Sequence, residues 1–342
     1  MSRGPGSFEA TGVVGSFREA SGGLPLVLTP KALAVPLVSW IEVHRALLDE
    51  ALVQHGALLF RGFFGGEAAG AEVFERAAEA LCGTLLTSNP EHVTVSGRVQ
   101  TPVAYSAKQK LLWHNENSFN RVWPRKLVFG CEIPADSGGE TPLVDSRRMF
   151  RELDPGLRDV WLRKGVMYIR NFGEALGLPW QQVFGTADRA EVEHICAAEQ
   201  VEYEWRAGGQ LRTRAVRPAA IPHPTTGEWS WFNQMQHWHV AALAEGTRAS
   251  LGSLMAEEDF PRGCTFGDGS PIPEEHVQQV LDLYGVLEVV FPWRKGDILL
   301  LDNVLVAHAR NPFAGARRLL VGLGEPTSYA SEAVEDMDVG VL

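Results

Sequence analysis

The sequence predicts an α+β protein whose mainly β core closes as a sandwich or barrel, and three features carry that prediction. From about residue 85 the chain alternates short β-like runs (101–107, 111–116, 126–133, 141–145) with Gly, Pro, Asn and Asp turns. Such close spacing fits a closed β architecture better than repeated βαβ units. The final third returns to the same texture at 286–291, 296–301, 304–309 and 319–323. Between these blocks, about 146–285 mixes helices and strands, as expected of an insertion that supplies lid and pocket walls.

In chain order, residues 1 to about 38 are rich in Gly and Pro and read as an N-terminal surface segment with one or two short strands. Ser39-Trp40-Ile41-Glu42 has the form of a capping box, so a helix should follow it. The apolar positions Trp40, Val43, Leu47, Leu48, Ala51 and Leu52 share one helical face, and Gly56 is the stop. Ala57–Phe63 reads as a buried strand, and about 66–82 as a second amphipathic helix ended by Gly83. Within the insertion, 147–153, 156–164 and 190–198 read as helices and 166–171 and 201–206 as strands. A helix over 273–284 should open at Pro273 and close at Gly285. With neither an internal repeat nor a low-complexity linker, residues 1–342 are expected to form one domain.

Composition narrows the function. The net charge of −11 argues against a general nucleic-acid binder, which needs a basic footprint. Cys82, Cys131, Cys196 and Cys264 lie far apart without a C-x-x-C pair, so neither a zinc knuckle nor a redox dithiol is signalled. No run reaches the ~18 apolar residues of a membrane span and the N-terminus has no apolar core, so a cytoplasmic location without membrane attachment is the expectation. A homo-oligomer is compatible with this composition.

The chemistry concentrates at Leu111-Leu112-Trp113-His114-Asn115-Glu116-Asn117-Ser118. On an extended strand, His114 and Glu116 at i and i+2 would share a face and could grip one metal ion. Fe(II) is commonly held by two His and one carboxylate on one side, with the opposite positions open. His308, on a late apolar strand, is the best third ligand, although a lone His there is more often a core residue. A turn then leads to Arg317-Arg318, of which only one can point inward on a strand. An inward guanidinium beside the metal could hold a dicarboxylate in a bidentate fork. The pair His237-x-His239 lacks a matching carboxylate and reads as pocket wall or core, and His223, His194 and His276 as ordinary residues. Arg206, Arg212, Arg214 and Arg217 read as a solvated hairpin first and as anion contacts second. Asp302 and Asn303 are candidates to orient groups around the metal.

His114-x-Glu116, the turn Gly138-Gly139-Glu140-Thr141-Pro142-Leu143, and His308 followed ten residues later by Arg318 resemble the TauD/TfdA family of Fe(II)- and 2-oxoglutarate-dependent dioxygenases. Asn233-Gln234, His237-Trp238-His239, Phe266–Ile272 and Leu301-Asp302-Asn303 are similar to its SyrP-like branch. The resemblance spans about residues 30–325 and implies a double-stranded β-helix, or jelly roll, with flanking helices. It implies His114, Glu116 and His308 as catalytic metal ligands, Thr141 and Arg318 as the 2-oxoglutarate clamp, and Fe(II), 2-oxoglutarate and O2 as requirements. The carboxylate of Glu116 separates the chain from halogenating relatives, which lack it. Trp113, Asn117, Ser118 and Arg310 are further candidates for substrate contact. The reaction so implied is hydroxylation of an unactivated C–H bond in an amino acid or its derivative, free or tethered to a carrier protein, in secondary metabolism. The alternatives are catabolic oxidation of a small sulfonate or other organic acid, and a metal-bearing β module without turnover.

Overall fold

The computed structural model describes residues 5–17, 23–32, 35–86, 93–103, 105–173 and 177–329. The N-terminal surface segment lies partly outside them, as does Ala104 of the run 101–107. Two sheets form the β core. The larger has eight strands, with Ile298–Asp302, Val122–Ile133 and Arg318–Ser328 at its centre. The smaller pairs Leu111–His114 with Val306–Arg310 and Val306–Arg310 with Leu143–Asp145.

Alternation along the central strands sends side chains to two different cores. Leu127, Phe129, Leu299, Leu301, Leu319 and Val321 point between the sheets, where they meet Leu143, Leu305 and Val306 of the smaller sheet's side. Val128, Ile298, Leu300 and Leu320 point outward, onto helices Leu37–His55 and Ala71–Cys82. At ~25 cal/mol per Å2, each fully buried Leu or Phe contributes about 1.5–3 kcal/mol, so both faces are firmly specified. Gly130 and Gly324 face the second helix, where a Cβ would run into Phe74 or Cys82. The expected jelly roll with flanking helices is the architecture found.

Boundaries differ from the sequence reading in several places, among them the run 101–107, whose strand is Val99–Thr101, and the second helix, which starts at Ala71. The first helix begins at Leu37 after Pro36, without a side-chain cap, so Ser39 lies inside it and forms no capping box. Its stop is as expected, with Gly56 at φ 72° and its N–H bonded to Leu52 O. The late helix runs Glu274–Leu287, through Gly285, because Val277, Val280, Tyr284 and Leu287 all bury on one face and outweigh the glycine penalty of about 1 kcal/mol. The strand expected at 286–291 is reduced to one bridge between Val289 and Leu143.

The stretch 146–285 builds a second layer beside the β core. Four strands, Glu202–Trp205, Leu211–Arg217, Val166–Phe172 and Arg262–Phe266, form an antiparallel sheet. Its inner face packs Val166, Tyr168 and Phe266 into a cluster with Trp113, Trp161, Trp231, Trp238 and Tyr284. Among the described residues no helix is long and apolar enough to cross a membrane.

Candidate metal centre

His114 and His308 are directly opposed across the antiparallel strands Leu111–His114 and Val306–Arg310. Residues so paired point to the same face, and the two ring centroids are 4.3 Å apart. Glu116 is not on that strand face as expected. The strand ends at His114, and the carboxylate comes from the turn that follows, in which Asn117 takes φ 56°. Asparagine tolerates this left-handed conformation better than most side chains. Glu116 Oε2 lies 3.6 Å from His114 Nε2 and 3.8 Å from His308 Nε2.

Asn303, fully buried, holds that turn in place. Its Oδ1 accepts from Glu116 N at 2.7 Å, and its Nδ2 donates to Glu116 O at 3.0 Å and Pro124 O at 2.8 Å. Asn115 Nδ2 donates to Asn303 O at 2.7 Å. Asp302 accepts from Val304 N and Leu305 N, and its Oδ2 meets buried His223 Nε2 at 3.0 Å. His223, read as ordinary from sequence, thus belongs to the support beneath this turn. Replacing Asn303 by Ala is expected to weaken divalent-metal binding about 10- to 100-fold, as loss of an orienting partner does elsewhere. Titration of Mn(II) or Fe(II) into the metal-free protein measures it.

The donor set suits a divalent ion with oxygen and imidazole preferences. Among the described residues, His114, Glu116 and His308 are the group of three metal-ligand side chains whose donor atoms converge, all within 4.8 Å of one another. Two imidazoles and one carboxylate, without thiolate, match a facial Fe(II) site. His114 Nδ1 donates to Leu112 O at 2.8 Å, which leaves the Nε2 lone pair free to face an ion. Burial, reinforced by neighbouring His114, pushes His308 down to about 3 and keeps it neutral, as ligation requires. His237 is likewise held at about 3 by burial and then by His114, with Nε2 donating to Leu112 O at 2.9 Å. It lies edge-on to His114, 4.7 Å away, as wall rather than ligand. His239 is buried, bonded to Ile272 O and capping Ala241 N.

Both His237 and His308 have folded values below the unfolded ~6.5. The unfolded chain therefore binds more protons between about pH 6.5 and 3, and native stability falls as pH falls through that window. Denaturant unfolding of the metal-free protein should show the midpoint dropping from pH 7 to pH 4, and His237→Gln should reduce the slope.

A cavity of about 510 Å3 opens on the metal face, lined by His114, Glu116, His308, Thr141, Arg317 and Gln234 among others. At one end Thr141 Oγ1 accepts from Trp293 Nε1 at 3.0 Å, so its hydroxyl proton remains available to a ligand. Arg317 and Arg318 both border this cavity, Arg317 the less exposed of the two. An irregularity in register between Arg318 and Leu319 breaks simple alternation, and Arg318 pairs with Glu132 at 2.7 Å while 51% exposed. Arg317 Nε donates to Gly139 O at 2.9 Å, and its guanidinium lies over Phe313. Burial, added to the repulsion of Arg310, brings Arg317 down to about 10, an environment that favours an incoming anion. Gly138 and Gly139 make room: both have positive φ, and a Cβ would meet the Pro312 carbonyl at one and crowd the Arg317 stem at the other.

The remaining candidates divide. Asn117 lines the cavity. Trp113 is buried between Tyr284, stacked at 5.4 Å, and Lys110, and it faces the core. Ser118 is fully buried, its carbonyl accepting from Tyr329 Oη. Arg310 borders the cavity, but it donates to Ser106 O and Gln109 O, each at 2.6 Å, and so pins the loop 105–109. Arg206, Arg212 and Arg214 are paired with Glu204 or Asp259, and buried Arg217 bonds main-chain carbonyls.

A jelly roll with two imidazoles and a carboxylate at its mouth defines a non-haem iron oxygenase. The sequence matches the Taurine catabolism dioxygenase TauD, TfdA family over residues 24–323, and the chain belongs to this family of Fe(II)- and 2-oxoglutarate-dependent dioxygenases, which consume O2. It is 35% identical over 289 residues to the dapdiamide synthesis protein DdaC of Enterobacter agglomerans, covering 83% of this chain and 87% of that one. It is 31% identical over 320 residues to a clavaminate synthase-like protein of Arabidopsis thaliana, covering 87% and 93%. Among solved structures, PvcB, an Fe, alpha-ketoglutarate dependent oxygenase from an isonitrile synthetic pathway, superposes with TM-score 0.52 at 17% identity, covering 91% and 90%. AAD-2 in complex with Mn(II) and N-oxalylglycine gives 0.53 at 12%, covering 92% and 98%. At these identities the structural matches establish the fold.

Proposed function

We propose that this enzyme hydroxylates an unactivated C–H bond of an amino acid or amino-acid-derived substrate in the biosynthesis of a secondary metabolite. In this reading His114, Glu116 and His308 hold Fe(II), and Thr141 with Arg317 holds the distal carboxylate of 2-oxoglutarate. The observation that carries it is the convergence in one cavity of the three metal-ligand side chains and a buried cationic clamp. The bound iron, with 2-oxoglutarate and O2, supplies the oxidation, the cosubstrate leaving as succinate and CO2.

The protein's own contribution is positional. Asn303 sets Glu116, the Leu112 carbonyl sets the His114 ring, and the strand register sets His308 against His114. Arg317 and the Thr141 hydroxyl would orient the cosubstrate by replacing the water its carboxylate loses on entry. Phe129, Leu319 and Val321 line that end with apolar surface and exclude bulk water. The relatives named for dapdiamide synthesis and as clavaminate synthase-like support a biosynthetic role. The test is succinate release screened across amino acids, free and carrier-bound. Stimulation by members of the panel supports the reading; release stimulated instead by a small sulfonate would replace it with a catabolic one.

A further inference from the structure

Gln234 borders the metal cavity with its amide unspent. The main chain on both sides of it is fixed. Gln234 N donates to Tyr168 Oη at 3.1 Å, Gln234 O accepts from His237 N at 3.0 Å, and neighbouring Asn233 bonds Ala219 O and Met235 N. The residue is 6% exposed and lines the cavity together with His237, yet its side-chain Nε2 is buried without a hydrogen-bond partner. Buried polar groups are nearly always paired, and an exception on a cavity wall marks a place that a ligand or water completes.

A second cavity, of about 370 Å3, adjoins this wall, with Phe172, Val183, Phe184, Ile195, Val201 and Ala215 in its lining. Asn117 and Phe119 line both cavities, so these two side chains stand between them. Tyr168, which receives the Gln234 N–H, also lines the second cavity, and its ring meets Phe119 edge-on with centroids 6.2 Å apart. Buried Arg217, on the same wall, spends N–H groups on the carbonyls of Phe119 and Glu199. A polar reader in the metal cavity and a largely apolar space are therefore one ring apart.

A carboxamide is neutral and carries both donor and acceptor, so another amide is its complement, whereas a carboxylate is held more strongly by charged donors. Resting on the function proposed above, we infer that Gln234 reads an amide of the substrate, an N-acylated or peptide-linked amino acid whose apolar side chain lodges in the second cavity. Gln234 Nε2 donates to the amide carbonyl. A site built to hydrogen-bond one group rejects analogues that lack it, because its own buried group is then left unpaired.

The test uses the whole enzyme and N-acetyl derivatives of leucine, phenylalanine and alanine. Beside them stand the N-ethyl and O-acetyl counterparts, which lack the amide's carbonyl and its N–H in turn. The N-acetyl leucine and phenylalanine compounds are expected to stimulate succinate release at lower KM than their counterparts. Gln234→Leu should raise the KM of a stimulating amide about 5- to 150-fold, the range for a buried group left unpaired, and shrink the amide's advantage over its counterparts. Ala215→Phe, which fills the second cavity, should raise the KM of the leucine and phenylalanine compounds more than that of the alanine compound. The anaerobic Fe(II)–2-oxoglutarate absorption band reports that each variant folds, and the comparison in the unaltered enzyme stands without them. Counterparts as effective as amides, an unchanged KM in Gln234→Leu, an equal effect of Ala215→Phe on all three side chains, or no stimulation while the band forms would overturn the inference. Absence of the band in the unaltered enzyme would overturn the function itself.

Discussion

Glu116→Ala abolishes substrate oxidation, with metal affinity falling by more than the 10- to 100-fold typical of losing an outer orienting partner. Removing the carboxylate leaves His114 and His308, two neutral donors without the charge that holds a hard divalent ion. The variant should fold, because Glu116 is anchored through its main chain: N and O both bond Asn303, and the Ala variant keeps both contacts. Product formation together with Mn(II) titration checks this. Full turnover would mean that another carboxylate completes the site.

Arg317→Ala raises the KM for 2-oxoglutarate about 10- to 150-fold, the effect of losing a charge-assisted hydrogen bond worth about 1.5–3 kcal/mol. Arg318→Ala should change it by less than about fivefold. Arg318 makes a half-exposed pair with Glu132, and such surface pairs contribute only about 0–1 kcal/mol. Steady-state kinetics of the two variants side by side tests the assignment. A large effect at Arg318 with none at Arg317 would return the clamp to Arg318, as the resemblance implies.

That pair shows where sequence reading stops. Periodicity allows only one of two adjacent arginines to face inward, but with an irregular register between Arg318 and Leu319 both border the cavity, and no local residue signals it. The three candidate metal ligands were legible as residue types, while their geometry was not. His114 and Glu116 looked like neighbours on one strand, whereas the turn at Asn115–Asn117 delivers the carboxylate and Asn303, nearly two hundred residues away, fixes it. The β core was readable because its strands are short, apolar and punctuated by turns. The late helix overran Gly285 because burial of Tyr284 and Leu287 outweighs a local propensity. Arg262 carried no motif; the inserted sheet's fold brings it to the cavity.

Anaerobic addition of Fe(II) and 2-oxoglutarate to the metal-free enzyme tests whether this cavity holds both. A weak visible charge-transfer band should appear, should require both components, and should be lost in Glu116→Ala. In Arg317→Ala it should need a higher 2-oxoglutarate concentration. Metal-replete protein that shows no band at saturating 2-oxoglutarate would contradict the assignment of this cavity as an iron and 2-oxoglutarate site.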